Sequence, residues 1–214
     1  LKKNVNYELK IAVFASGRGS NFEAILKAIR SGVIRGARIV CVISNNSGAG
    51  ALETARKNGI ADFHISRAQF ESDQDFDRQI LTTLDSLGAN FIVLAGYMKI
   101  VSPAVISRYR NRILNIHPAL LPEFGGAGMY GERVHKAVLA AGKTVSGATV
   151  HVVDEVYDHG AIVLQKTVPV SPGETPETLA KKVLEIEHEI YPEAVRLFAE
   201  GKVTISNDTA SILR

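Results

Sequence analysis

The sequence predicts an α/β fold: one mostly parallel, doubly wound sheet that carries an antiparallel extension in its C-terminal half. Short β-branched runs alternate with amphipathic helical patterns through the first half. Runs such as "RIVCVIS" are apolar at consecutive positions, as strands covered on both faces must be. The second half breaks the alternation with two strands joined by a short polar turn, which reads as an antiparallel pair.

The elements follow in order. "LKIAVFAS" (9–16), "RIVCVIS" (38–44), "ADFHIS" (61–66), "FIVLAG" (91–96) and "RILNIH" (112–117) read as strands. Between them lie helical patterns at 21–32, 50–59 and 75–88, ended by Gly32, Gly59 and Gly88, since glycine adopts the left-handed conformation that closes a helix. "SPAVISRYR" (102–110) is a short helix with Ser102 as cap and Pro103 in its first turn. "GATVHVVDE" (147–155) and "AIVLQKTVPV" (161–170) form the antiparallel pair around "VYDHG". A long helix spans about 178–199, capped by Thr175 or Thr178 and closed by Gly201, and the tail 202–214 is expected to add a short edge strand. No repeat or low-complexity linker separates the halves, so the two are expected to share one sheet.

Composition narrows the function. At 214 residues and 46% hydrophobic, the chain has enough apolar material for a core without staples. The net charge of +3 is not gathered into any run of like charges, so a nucleic-acid partner is not indicated, while a local basic pocket for a small anion is compatible. Cys41 is the only cysteine and lies inside an apolar strand, where it reads as a core residue. His64, His135, His151, His159 and His188 are scattered at no metal-ligand spacing, and no metal is expected. No apolar stretch reaches the length of a membrane span, and the first ten residues lack an apolar leader; a cytoplasmic location is the expectation.

Chemistry-bearing residues gather at strand ends. "FASGRGSNFEAIL" joins the first strand to the first helix, where free backbone N–H groups and glycines suit a phosphate. It lacks the third glycine of a dinucleotide fingerprint and the Lys-Ser/Thr of a P-loop, so a single phosphate is the better fit; a tight turn with Ser20 or Asn21 capping the helix is the alternative. "ILNIHPALLP" places Asn115 and His117 two apart at the end of an apolar strand, hence on one face, and Pro118 ends the strand. An amide and an imidazole side by side there can stabilise an oxyanion or move a proton. Asp158 sits in the "VYDHG" turn, as a turn-former or as a third member of the site. Glu187 falls on the apolar stripe Leu179, Val183, Ile190, Ala194 and Leu197 of the last helix. A carboxylate there needs a partner, either a nearby Arg or Lys or the hydroxyls of a ligand.

Together "ASGRGSN", "LAGYMKIVSP", "NIHPALLP", "GATVHVVDEVYDHG" and "EHEIYP", in order along nearly the whole chain, resemble the glycinamide ribonucleotide formyltransferases, folate-dependent enzymes of purine synthesis. The resemblance implies a Rossmann-like formyltransferase fold over 1–214, with a phosphate-binding half at about 9–110 and a catalytic, folate-binding half at about 111–214. It implies transfer of the formyl group of 10-formyltetrahydrofolate, as cosubstrate, to the amine of glycinamide ribonucleotide, by a monomer or homodimer without a metal. The catalytic trio falls on Asn115, His117 and Asp158. The substrate phosphate falls on Gly19, Ser20 and Asn21, and the substrate ribose on Glu187. The cofactor falls on Met98, Lys99, Ile100, Val101 and Asn115. In the implied mechanism Asn115 and a charged His117 donate to the oxyanion, and Asp158 keeps His117 charged.

The chain departs from the family pattern twice. "EFGGAGMYGERVH" replaces a shorter Pro-Gly loop, although His135 keeps a histidine there, and Asp73 stands where some members have a folate-contacting Arg. The nearby Arg67 is not assigned that role. Methionyl-tRNA formyltransferase resembles the same core but adds a C-terminal domain for which 214 residues leave no room. A formyltetrahydrofolate deformylase-like hydrolase and a non-catalytic folate- or nucleotide-binding module are the remaining alternatives.

Overall fold

Residues 8–213 are described by a computed structural model; residues 1–7, where no apolar leader is read, and Arg214 lie outside the described residues. Strands β1 (Leu9–Phe14), β2 (Ala37–Ser44), β3 (Ala61–His64), β4 (Phe91–Leu94) and β5 (Ile113–His117) are mutually parallel. Strands β6 (Val145–Val152) and β7 (Ile162–Pro169) extend them antiparallel, giving one seven-stranded sheet in the order β3-β2-β1-β4-β5-β6-β7. The expected architecture is therefore present, and strands from both halves of the chain share the sheet. Several strands stop two residues short of their apolar runs, because the last residues already open into loops at the sheet edge.

Both faces of the sheet are covered, as the continuous apolar strands require. Ile11 and Val13 of β1 face one side, where α1 (Ser20–Arg30), α2 (Gly50–Lys57), α5 (Glu132–Ala140) and α6 (Pro176–Ala199) pack. Ala12 and Phe14 face the other, with α3 (Asp73–Ser86) and α4 (Pro103–Arg108). Cys41 lies fully buried in this second layer, and burial pushes its thiol up to about 12, so it is an inert core group. Ser102 caps α4 with Pro103 in the first turn, and Thr175 and Thr178 form a reciprocal cap on α6.

Two parts differ from expectation. Helix α5 occupies sequence read only as loop: its cue is Val134 and Val138 four apart, which bury one stripe, and a glycine-rich approach masks it. The tail does not join the sheet. β8 (Val203–Ser206) and β9 (Thr209–Ile212) form a separate hairpin closed by Asn207 and Asp208, both in the left-handed region that favours two-residue turns.

Tyr191 of α6 joins the helix layer to the sheet. Its ring is fully buried, and its hydroxyl lies 3.0 Å from the Leu94 carbonyl and 2.9 Å from the Leu114 carbonyl. One O–H thus serves β4 and β5 at once, just where their C-terminal ends reach the loops. Tyr191→Phe leaves the packing but strands these acceptors, so a loss of about 1–3 kcal/mol in unfolding free energy is expected from urea denaturation. An unchanged midpoint and slope would show that the clamp adds nothing.

Candidate active site

The strand order sets the position of the site. From β1 the chain winds outward through β2 and β3, then returns to the other side of β1 with β4 and β5. A crevice necessarily opens at the C-terminal edge where the order reverses. The loop after β1 and the loop after β4 flank it and are tied together. Ser16 Oγ accepts from the Met98 N–H at 2.8 Å and donates to Asn45 Oδ1 at 2.5 Å. The first turn also reaches α2, whose Ala51 N–H donates to the Gly17 carbonyl at 3.1 Å. Gly19 caps α1 at φ +81°, and a Cβ there would stand 2.7 Å from the Ala51 methyl. Any side chain at Gly19 therefore disturbs the turn itself, before a ligand is considered.

Asn115 and His117 leave the same face of β5. Cross-strand pairing sets Asn115 opposite His151 and His117 opposite Thr149, so all four side chains share that face. His151 Nδ1 lies 3.1 Å from the Val152 carbonyl, which only accepts, so Nδ1 carries the proton and Nε2 accepts from the Asn115 amide at 3.1 Å. The second amide hydrogen of Asn115 faces Asp158 Oδ1 at 3.5 Å. Asp158 Oδ2 accepts from the Gly126 N–H at 3.0 Å and lies 3.4 Å from His117 Nδ1. His117 Nε2 donates to the Phe124 carbonyl at 2.8 Å. Asp158 is itself at φ +52°, a conformation that the close packing around its carboxylate maintains.

The loop that carries Phe124 and Gly126 is secured from beneath. Thr149 Oγ1 donates to the Ala119 carbonyl at 2.6 Å and accepts from the Leu121 N–H at 3.0 Å. Gln165, opposite Thr149 on β7, donates to the Leu121 carbonyl at 2.7 Å. At Gly125 a Cβ would stand 2.6 Å from Leu121 Cδ2 and 3.1 Å from Asp158 Cβ, so a side chain there would push the loop off the carboxylate.

Burial dominates the charge states. It draws His117 below its ordinary value more strongly than the Asp158 carboxylate and the Phe124 carbonyl raise it, with His151 adding a small downward push. Burial thus works against the charged His117 that the resemblance implies, while the Nε2 proton is the one directed at the Phe124 carbonyl. For Asp158 burial acts upward, but the neighbouring His151 and His117 imidazoles and the Gly126 N–H together hold the carboxyl below its usual range. Glu187 behaves in the opposite way. It is buried on the apolar stripe, and burial lifts it to about 7 against the lowering effect of its one partner, the Asn21 amide at 2.6 Å. The protein partner is therefore Asn21, not the Arg or Lys that the stripe suggested.

A cleft of about 520 Å³ runs along this edge. Asn21, Met98, Lys99, Ile100, Val101, Asn115, His117, Asp158 and Glu187 all line it, whereas Gly19 and Ser20 stand outside the lining. The cleft also takes in Arg18, Tyr130, Tyr157, His135 and His151, which the sequence reading left out of the site. In the sequence His151 reads only as one of several scattered histidines. The signal that could have found it is the register between β5 and β6, which depends on long-range pairing. Met98, Ile100, Val156 and Tyr157 are exposed at the mouth, and form an apolar rim.

These features define a formyl transferase. The formyl transferase family profile matches residues 9–195, and the chain belongs to that family. Among its relatives, the phosphoribosylglycinamide formyltransferase of Escherichia coli is 37% identical over 94% of this chain and 92% of its own length. The chloroplastic enzyme of the same name from Arabidopsis thaliana is 42% identical over 96% of this chain and 70% of its own length. The crystal structure of glycinamide ribonucleotide transformylase 1 from Symbiobacterium toebii superposes with a TM-score of 0.91 at 41% identity, covering 97% of this chain and 95% of that one. A formyltetrahydrofolate deformylase from Pseudomonas syringae shares the fold at TM-score 0.85 but only 23% identity, covering 98% of this chain and 67% of that one. No helix among the described residues is long and apolar enough to cross a membrane.

The raised Glu187 carboxyl has a measurable consequence. Below about pH 4.5 it is protonated in both the folded and unfolded chain; between there and about 7 the unfolded chain releases the proton and the folded chain keeps it. Folded stability therefore falls as pH rises through this window, by roughly 3 kcal/mol from this group. Glu187→Gln removes the contribution. The variant is expected to be the more stable protein at pH 8 and to show a shallower pH dependence in urea titrations at pH 5 and 8. Parallel pH profiles would place the carboxyl in water.

Proposed function

We propose that this chain transfers the formyl group of 10-formyltetrahydrofolate to the terminal amine of glycinamide ribonucleotide, a step of purine synthesis. The observation that carries the reading is the convergence of Asn115, His117 and Asp158 at one point of the cleft, in a chain about 40% identical to enzymes of that name. The apolar rim of Met98, Ile100, Val156 and Tyr157 fits a flat heteroaromatic ring and would hold the folate, which supplies the electrophilic formyl carbon. The turn at Gly19, Ser20 and Asn21 presents the N-terminus of α1 to the substrate phosphate. Glu187, oriented by Asn21, accepts from the ribose hydroxyls.

The residues divide the chemistry. As the amine attacks, the formyl oxygen gains charge, and the Asn115 amide hydrogen that only loosely faces Asp158, at 3.5 Å, is the donor that turns to meet it. The attacking nitrogen must lose a proton and the departing folate nitrogen must gain one. Neutral His117 has its Nδ1 lone pair beside Asp158 and is ready to take the first. Asp158, held ionised by its donors, stabilises the imidazolium that results, and the ring returns the proton to the leaving nitrogen. The charge on His117 is thus acquired during the reaction instead of being held at rest.

A formylation assay with purified protein tests the assignment. Formyl transfer that depends on glycinamide ribonucleotide is expected; formate release without an acceptor would indicate the hydrolase, and ligand binding without turnover would indicate a binding module. Asp158→Asn separates chemistry from binding. It is expected to lower kcat by about a hundredfold or more, with both KM values within a few-fold, because the lost contact belongs to the transition state. A near-wild-type kcat would return Asp158 to the role of turn-former.

A further inference from the structure

Five buried side-chain atoms among the described residues lack a hydrogen-bond partner. Such atoms are uncommon in folded proteins and call for an explanation. Asp77 Oδ1, Ser146 Oγ and His188 Nε2 lie away from the cleft; Asn21 Oδ1 and His135 Nδ1 belong to residues that line it. Asn21 already binds Glu187 through its other atom. His135 is only 4% exposed and sits in the first half of α5, beside the buried Val134. It makes no hydrogen bond within the described structure, and neither the trio nor the phosphate turn uses it.

It lines the same cleft as two residues already assigned. His117, at the reacting end, is near enough that its charge would repel one on His135. Glu187, at the sugar end, is carried by α6, against which α5 packs. Burial, with His117 adding to it, keeps His135 below its ordinary value, so the ring is neutral and Nδ1 can accept or donate according to tautomer.

We propose that His135 is a further substrate-binding residue, whose Nδ1 hydrogen-bonds the carboxamide that links the reacting amine of glycinamide ribonucleotide to its ribose. The inference rests on the proposed substrate. A carboxamide offers both a C=O and an N–H, so it satisfies Nδ1 in either tautomer. Anchoring the link between amine and sugar also limits rotation of the amine relative to His117, which turns binding into orientation.

Three variants test this. His135→Leu removes the stranded polar atom and keeps an apolar side chain of helical propensity. It is expected to melt no lower than the wild type, yet to raise KM for glycinamide ribonucleotide roughly tenfold or more while KM for the folate stays within twofold. His135→Asn keeps an amide close to the Nδ1 position and is expected to retain most of the affinity. His135→Gln carries its amide out toward the Nε2 position and is expected to lose affinity despite a normal melt, so it serves if the leucine variant does not fold. A folded Leu or Gln variant with unchanged KM for glycinamide ribonucleotide, or a lower melting temperature with unchanged KM, overturns the inference alone. Wild-type protein that does not formylate glycinamide ribonucleotide overturns the functional reading and this inference with it.

Discussion

The antiparallel pairing of β6 on β5 is the constraint from which the site is built. A sixth parallel strand would have needed a crossover, and its polar residues would have met a helix. Antiparallel addition brings β6 back along β5 in a register that sets His151 beside Asn115 and Thr149 beside His117. The same strand then leads directly into the turn that returns Asp158 to the sheet edge. On the opposite face Ala148, Val150 and Val152 continue the apolar layer under α6 without interruption. One strand therefore completes the core with one face and the catalytic edge with the other, as a period of two allows.

The two buried carboxyls show how environment divides chemically identical groups. Asp158 is surrounded by donors and stays ionised despite burial, whereas Glu187 has one amide and is pushed to about 7. The first is suited to balancing a charge that appears on His117 during reaction. The second is poorly satisfied without a ligand, and hydroxyl donors arriving at it would supply what the protein withholds. Electrostatics thus distinguishes the residue that stabilises a passing charge from the residue that binds, although both lie on the same cleft.

Support beneath the loop matters as much as the side chains at its surface. Thr149 and Gln165 contact no reacting group, yet they hold the Ala119 and Leu121 backbone from which Phe124 and Gly126 reach His117 and Asp158. Tyr191 holds the ends of β4 and β5 from the other side of the sheet. The reactive groups line the cleft on a scaffold whose own polar groups are largely spoken for, which is the condition for orientation without reorganisation.

The sequence by itself determined the alternation of strands and helices, the caps at Ser102 and Thr175, the shared face of Asn115 and His117, and the misplaced charge of Glu187. Each is a local consequence of side-chain period, chain stereochemistry or a cap, and is therefore legible over a few residues. Tertiary structure alone decided the β5–β6 register, which brought His151 and Thr149 into the site, and the partner of Glu187, which is Asn21 at a separation of 166 residues. It also decided that the tail forms its own hairpin and that burial works against a charge on His117. Burial and long-range pairing set these outcomes, and neither is a property of any short stretch of chain: the cost of removing a group from water depends on everything that the fold packs around it.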